Sequence, residues 1–289
     1  MNSSVIVLWL AVFLHFKLYP QPNIIFDTDF GGDADDLGAL AMLHHFTDKN
    51  QCRLLAIMSW SLERYTVPAI DAVNRYYGHP DIPIGTRKGL IHDIDWNYNK
   101  CIAENFSYRL TYQDAPDATY LYRKILSQSP DTSIIIVTVG PLANIKNLIE
   151  SPSDSLSEWN GKELIRRKVK MFVIMGGKFP KGKKEWNFDG NMPGVTRFVI
   201  QHIDTPIVFS GYEVGLKIKT GKCLNTEDEN SPLYVGFMHF SRNAPWMKKK
   251  FKGKILNKSS YDQTAVLYAV KNGEGLYWRK IRNGICLPD

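Results

Sequence analysis

The sequence predicts an α/β fold with a mostly parallel central sheet flanked by helices, and three observations carry that prediction. Near-continuous Ile/Val runs such as "TSIIIVTVG" and "VKMFVIMGG" read as strands buried on both faces, which is the pattern of a parallel sheet. These runs alternate with helix-like segments. Their strand-like stretches end in polar or glycine-rich turns, "DTDFGGDADD", "TVGP" and "MGG". In a parallel sheet such endings converge on the edge where ligands bind.

Taken in order, "NIIF" is the first strand, followed by a helix from about Asp35 to Phe46. "RLLAIMSW" is the second strand, and "VPAIDAVNRYYG" is a helix closed by Gly78. "TSIIIVTVG" leads into the helix "PLANIKNLIE", where proline at the start suits the first helical turn. "VKMFVIMGG" and "TPIVFSG" are further strands, and "YDQTAVLYAV" is a late helix. No internal repeat or low-complexity linker divides this run, so residues 23–289 form a single domain.

Ahead of it, the apolar stretch from Val5 to about Phe16 is short for a bilayer span and has the length of a signal-peptide core. The expectation is a signal peptide over residues 1–22 and an extracellular protein. No other run approaches transmembrane length, so no stable membrane span is expected. Cys52, Cys101, Cys223 and Cys286 are widely spaced without a CxxC, which argues against zinc. In a secreted chain they allow three pairings, and Asn105 and Asn257 begin glycosylation sequons.

Of the 289 residues 44% are hydrophobic, too many for a disordered chain. The formal net charge is +7, a sign that favours polyanions without specifying nucleic acid. The lysine-rich stretches "PWMKKKFKGK" and "KGKK" lack the aromatic interleaving of a single-strand binder and read as solvated loops. No nucleic-acid partner is expected.

Against this basic background Asp27, Asp29, Asp33, Asp35 and Asp36 fall within ten residues, where a strand gives way to a helix. Carboxylates in a first helical turn complement the dipole and cap free N–H groups, and Asp35 and Asp36 suit that task. Capping needs one or two acids, not five. Crowded carboxylates must take up protons or share a cation, and oxygen donors without Cys or His select a hard ion, calcium or magnesium.

The stretch "DTDFGGDADDLGAL" resembles the signature of the inosine-uridine-type nucleoside hydrolases, DxDxGxDD in its commonest form, with two more residues between the glycine and the paired acids. The resemblance continues through "TVGPLANI", "VIMGG", "EWNF" and "YDQTAVLYAV" in that order, about residues 23 to 277. It implies a Rossmann-like nucleoside hydrolase fold and calcium-dependent hydrolysis of the N-glycosidic bond of ribonucleosides. The implied partner is a nucleoside, with a homodimer or homotetramer as the assembly.

By position, the resemblance makes Asp29 a metal ligand and the general base for water. Asp36 and Asp262 become further ligands, and Val139 contributes its backbone carbonyl. Asp35 binds a ribose hydroxyl, and Glu185 and Asn187 are the ribose-binding pair. Asp33 has no counterpart in the shorter motif and either sits near the ion or caps the loop. Trp186 reads as packing, and Asp27 as an acceptor of backbone N–H bonds beneath the loop. Where many purine-cleaving members carry a histidine before the late aspartate, this chain has Tyr261, a poor acid at its ordinary pKa near 10. The asparagine that usually follows the second strand is replaced in "AIMSWSLERY", leaving Ser61 or Glu63 to substitute, and a further ribose-binding asparagine after "MGG" is absent. His92 is a candidate for a loop near the base.

Three alternatives accompany this reading. The chain could be a catalytically weakened relative that binds calcium and ribose. It could be a phosphatase of the haloacid dehalogenase type, with Asp27 as nucleophile and Asp29 as acid, although that chemistry has no use for the Asp35–Asp36 pair. It could also be a polyanion-binding module resting on the lysine runs.

Overall fold

Six parallel strands form one sheet: β1 (Asn23–Thr28), β2 (Arg53–Ser59), β3 (Ile84–Thr86), β4 (Ile134–Thr138), β5 (Val169–Met175) and β6 (Ile207–Ser210). Their spatial order is β3-β2-β1-β4-β5-β6. This computed structural model describes residues 21–182, 184–273, 275, 277–281 and 286. The predicted signal segment lies outside the described residues except for its last two. Among the described residues no helix is long and apolar enough to cross a membrane, and all four cysteines are unpaired.

The helices are α1 (Ala34–Asp48), α2 (Thr66–Tyr76), α3 (Asn99–Asn105), α4 (Ala118–Gln128), α5 (Ala143–Glu150), α6 (Gly161–Lys168), α7 (Trp186–Asp189), α8 (Val195–His202), α9 (Tyr212–Leu216), α10 (Pro232–Asn243) and α11 (Tyr261–Val270). A short antiparallel pair, β7 (Lys219–Thr220) and β8 (Lys258–Ser259), delivers the chain to α11.

Successive strand residues point to opposite faces, and this alternation builds two cores. Phe26, Ile57, Val137 and Val173 pack on one side with Leu40, Val73, Phe240 and Val266 from α1, α2, α10 and α11. Ile25, Met58, Ile136 and Phe172 pack on the other with Leu126, Leu148, Leu164 and Val199 from α4, α5, α6 and α8. The result is three layers, helix on sheet on helix. A sheet covered on both faces requires the uninterrupted apolar strands that the sequence shows.

Strand order reverses between β1 and β4, so their carboxyl ends part and open a crevice. The two ends stay tied by the Val139 amide, which donates to the Asp27 carbonyl at 2.8 Å. Gly140 permits this closeness, because a Cβ there would lie 2.8 Å from the Asp29 nitrogen. Gly31 (φ +121) makes the turn after β1, and a Cβ on it would collide with the Asn99 side-chain amide.

Candidate active site

The loop from Asp29 to Asp33 leaves β1 at this crevice and is braced from α3 and the residue before it. Tyr98 accepts from the Gly31 amide at 3.1 Å and donates to the Asp33 carbonyl at 3.2 Å. Asn99 donates to the Phe30 carbonyl at 3.0 Å and to Glu63 at 2.9 Å. Asp33 is the N-cap of α1, its carboxylate accepting from the Ala34 amide. The cap is therefore Asp33, and Asp35 and Asp36 are released to point elsewhere from the first turn.

They meet Asp262. Carboxylate oxygens of Asp35, Asp36 and Asp262 lie within 4.8 Å of one another, all three residues buried. Residues from opposite ends of the chain thus share one point, because α1 and α11 present their first turns side by side. Asp29 adjoins the group: it is hydrogen-bonded to the Asp36 side chain, and its Oδ2 accepts from the Trp186 indole N–H at 2.9 Å. Thr28 donates its hydroxyl to Asp36.

Burial among like charges disfavours ionisation here. Burial pushes Asp29 up to about 6 and Asp35 up to about 7. Asp36 and Asp262 rise well above the carboxylate range, first through burial and then through their acidic neighbours. Oxygen donors so crowded, buried and reluctant to ionise together fit a hard divalent cation, which removes the repulsion by joining them.

These acids form the floor of a cavity of about 420 Å³. Val139, Met175, Glu185 and Asn187 line it from the ends of β4 and β5 and the start of α7, and Trp186, Tyr212 and Tyr261 add an aromatic wall. Lys178 and Lys184 line it as well. Glu185 is the N-cap of α7 and also accepts from the Gly177 amide at 2.9 Å. Asn187 donates to the Val139 carbonyl at 2.8 Å and the Met175 carbonyl at 3.0 Å, clasping β4 to β5. The carbonyl assigned to the metal by resemblance is thus held by Asn187.

Several sequence expectations need correction. His92 is exposed and lies outside the cavity lining; its backbone is tied to the Glu63 loop through the Leu62 carbonyl. Ser61 and Glu63 do not reach the cavity either, because Glu63 is turned inward to Asn99 and Thr66. Tyr261 lines the cavity, but burial pushes its phenol above its ordinary value, which weakens it further as an acid. Trp186 is 51% exposed and holds Asp29, so it is not a packing residue.

Asp27 is buried beneath the loop, where its oxygens accept from the Tyr122 hydroxyl at 2.8 Å and the Asn144 amide at 3.1 Å rather than from backbone. A carboxylate so enclosed, outside the cavity lining, cannot attack a phosphoryl group, which removes the phosphatase reading.

Three residues escaped the sequence reading. Lys258 is buried and places its Nζ 2.6 Å from both Asp33 and Asp35. Tyr212 stacks on Tyr261 with ring centroids 4.9 Å apart. Asn144 supports Asp27, and its place in "TVGPLANI" was the one available signal. Lys258 had none, since a lone lysine before "SSYDQ" looks like surface.

The family model described as inosine-uridine preferring nucleoside hydrolase matches residues 24–283. No curated protein matches the sequence. Among solved structures, the chain resembles a plant nucleoside hydrolase at 18% identity and TM-score 0.59, covering 88% of this chain and 80% of that one. It also resembles the type III effector protein XopQ, solved with adenosine diphosphate ribose, at 13% identity and TM-score 0.63, covering 86% and 81%. At these identities the structural likenesses show the fold alone.

Proposed function

The chain belongs to the inosine-uridine preferring nucleoside hydrolase family and is a hydrolase acting on N-glycosyl bonds, and from that premise we propose that it hydrolyses ribonucleosides to free base and ribose in a calcium-dependent reaction. The observation that carries this reading is the meeting of Asp36 and Asp262, with Asp35 and Asp29 beside them, on one cavity floor.

Asp36, Asp262, Asp29 and the Val139 carbonyl would hold the ion. A calcium ion held there supplies positive charge that acidifies a water and orients the ribose diol. The Asp29 carboxylate accepts the proton of the attacking water. The Trp186 N–H favours the ionised form of Asp29, the form that can take a proton from water, and anchors its Oδ2. Asp35 is held by Lys258 on one oxygen and by the Tyr261 and Asp262 amides on the other. The oxygen facing Lys258 retains acceptor capacity for a ribose hydroxyl. Glu185 and Asn187 flank the sugar, and the surrounding carboxylates favour an oxocarbenium-like ring.

Water adds to C1′ as the C1′–N bond breaks, and the departing base takes its bonding pair. Among the described residues no histidine lines the cavity, and in this reading the base receives its proton from solvent. The test is purified protein with calcium and a panel of nucleosides, followed for free base and reducing sugar. Failure to release either from any ribonucleoside, free or 5′-phosphorylated, would overturn the reading.

A further inference from the structure

The cavity has an acidic floor and a basic rim, and the chemistry above gives the rim lysines no role. Lys178 and Lys184 line the cavity, both on the segment that joins β5 to α7 and ends at Glu185. Lys178 is exposed, and its Nζ stands 4.9 Å from the centroid of the Tyr212 ring. That ring is stacked on Tyr261. A cation–π contact on a stacked ring keeps an ammonium at the mouth, above the aromatic wall.

A neutral nucleoside offers nothing to these ammonium groups. A ribose whose 2′- and 3′-hydroxyls face the floor turns both C1′ and C5′ toward the mouth, the base from one and any 5′-substituent from the other. The volume of about 420 Å³ leaves room for a group beyond the sugar. The floor would repel an anion, so an anionic substituent belongs at the rim, where lysines can pair with it.

We propose that the preferred substrates are ribonucleoside 5′-monophosphates, whose phosphate is received by Lys178 and Lys184. This rests on the N-glycosidase reading and specifies its substrate class. In the reaction, water oxygen bonds to C1′ and its proton passes to Asp29. The C1′–N bond breaks with its electron pair going to the base, which is protonated by solvent, and the products are free base and ribose 5-phosphate.

The experiment compares kcat/KM for inosine 5′-monophosphate and inosine, and for uridine 5′-monophosphate and uridine, in calcium. Charge-assisted pairing to the phosphate is expected to favour the monophosphates by about tenfold or more. The ratio should fall toward one in the Lys178→Gln/Lys184→Gln double variant, and also at about 1 M salt, where the screening length is ~3 Å. A second arm titrates wild-type protein with ribose and with ribose 5-phosphate by calorimetry, which needs no turnover. Hydrolysis without preference for the monophosphates overturns the proposal and leaves the N-glycosidase reading intact. Lysine-dependent, tighter binding of ribose 5-phosphate without turnover of any substrate supports the rim assignment and defeats the N-glycosidase reading. Equal or absent binding of both sugars, again without turnover, overturns both.

Discussion

The ε-ammonium of Lys258 lies 2.6 Å from Asp35 and 2.6 Å from Asp33, inside an otherwise acidic floor. Asp33 stands within the two-residue extension of the aspartate motif, and Lys258 is its ion-pair partner, so the two fit together as one feature. Lys258→Met removes the buried cation and leaves its partners uncompensated. The expected loss is about 3 kcal/mol, the scale for breaking a buried ion pair. Thermal unfolding in a chelator measures it, and calcium should recover part of the loss. An unchanged melting temperature in chelator would show that the ammonium is not needed to balance the floor.

Asp29→Asn keeps an oxygen for the Trp186 N–H but cannot take a proton from water. We expect kcat to fall by about 10³-fold, within the range for loss of a general base. Asp262→Ala should cost at least as much and also weaken calcium binding, whereas Asp29→Asn should retain more affinity. Wild-type turnover in Asp262→Ala would mean that the floor is not where the reaction occurs.

Trp186→Phe tests how Asp29 is tuned. The indole N–H lowers the Asp29 pKa against the upward push of burial, so its removal favours the protonated carboxyl. The acid limb of the pH–rate profile should move to higher pH, with activity lost chiefly on the acid side and little changed at alkaline pH. A uniform loss at every pH would assign Trp186 to substrate contact instead.

How much of this was legible beforehand differs by layer. β1, β2, β4 and β5 were readable because strands buried on both faces must be almost wholly apolar. β3 is only three residues long, and α10 mixes Tyr, Val, Phe and Gly in a pattern that looks no more helical than extended. In the site, Asp36 and Asp262 were legible because acids of both segments sit in recognisable motifs. Lys258, Tyr212 and the Trp186–Asp29 bond were not, because each depends on which loops the fold brings together. His92 misled for the same reason: a loop histidine carries no mark of the direction its loop takes.

Protonation of the base by solvent can be probed with the leaving group. If solvent must protonate the base, a substrate whose leaving group departs as a stable anion escapes that demand. p-Nitrophenyl β-riboside should therefore outpace inosine by about 10²-fold in kcat, the scale of general acid assistance. Replacing Tyr261 with Phe should change that ratio little. A large loss for inosine alone in Tyr261→Phe would restore the phenol as proton donor.

Without metal, stability should depend on pH in a direction opposite to ordinary acid unfolding. Burial raises Asp27 to about 7, Asp29 to about 6 and Asp35 to about 7, against about 4 when unfolded. Between those limits the folded protein binds more protons than the unfolded chain. Folding stability is therefore greatest on the acid side of this window and is lost as pH rises through 6 to 7. A cation binds the deprotonated carboxylates, so its stabilisation grows over the same window. Melting temperatures in chelator and in calcium should be close together at pH 5 and well separated at pH 8, the calcium curve lying higher. The same separation at both pH values would place the cation away from these acids, and no separation at either would mean that the floor does not hold one.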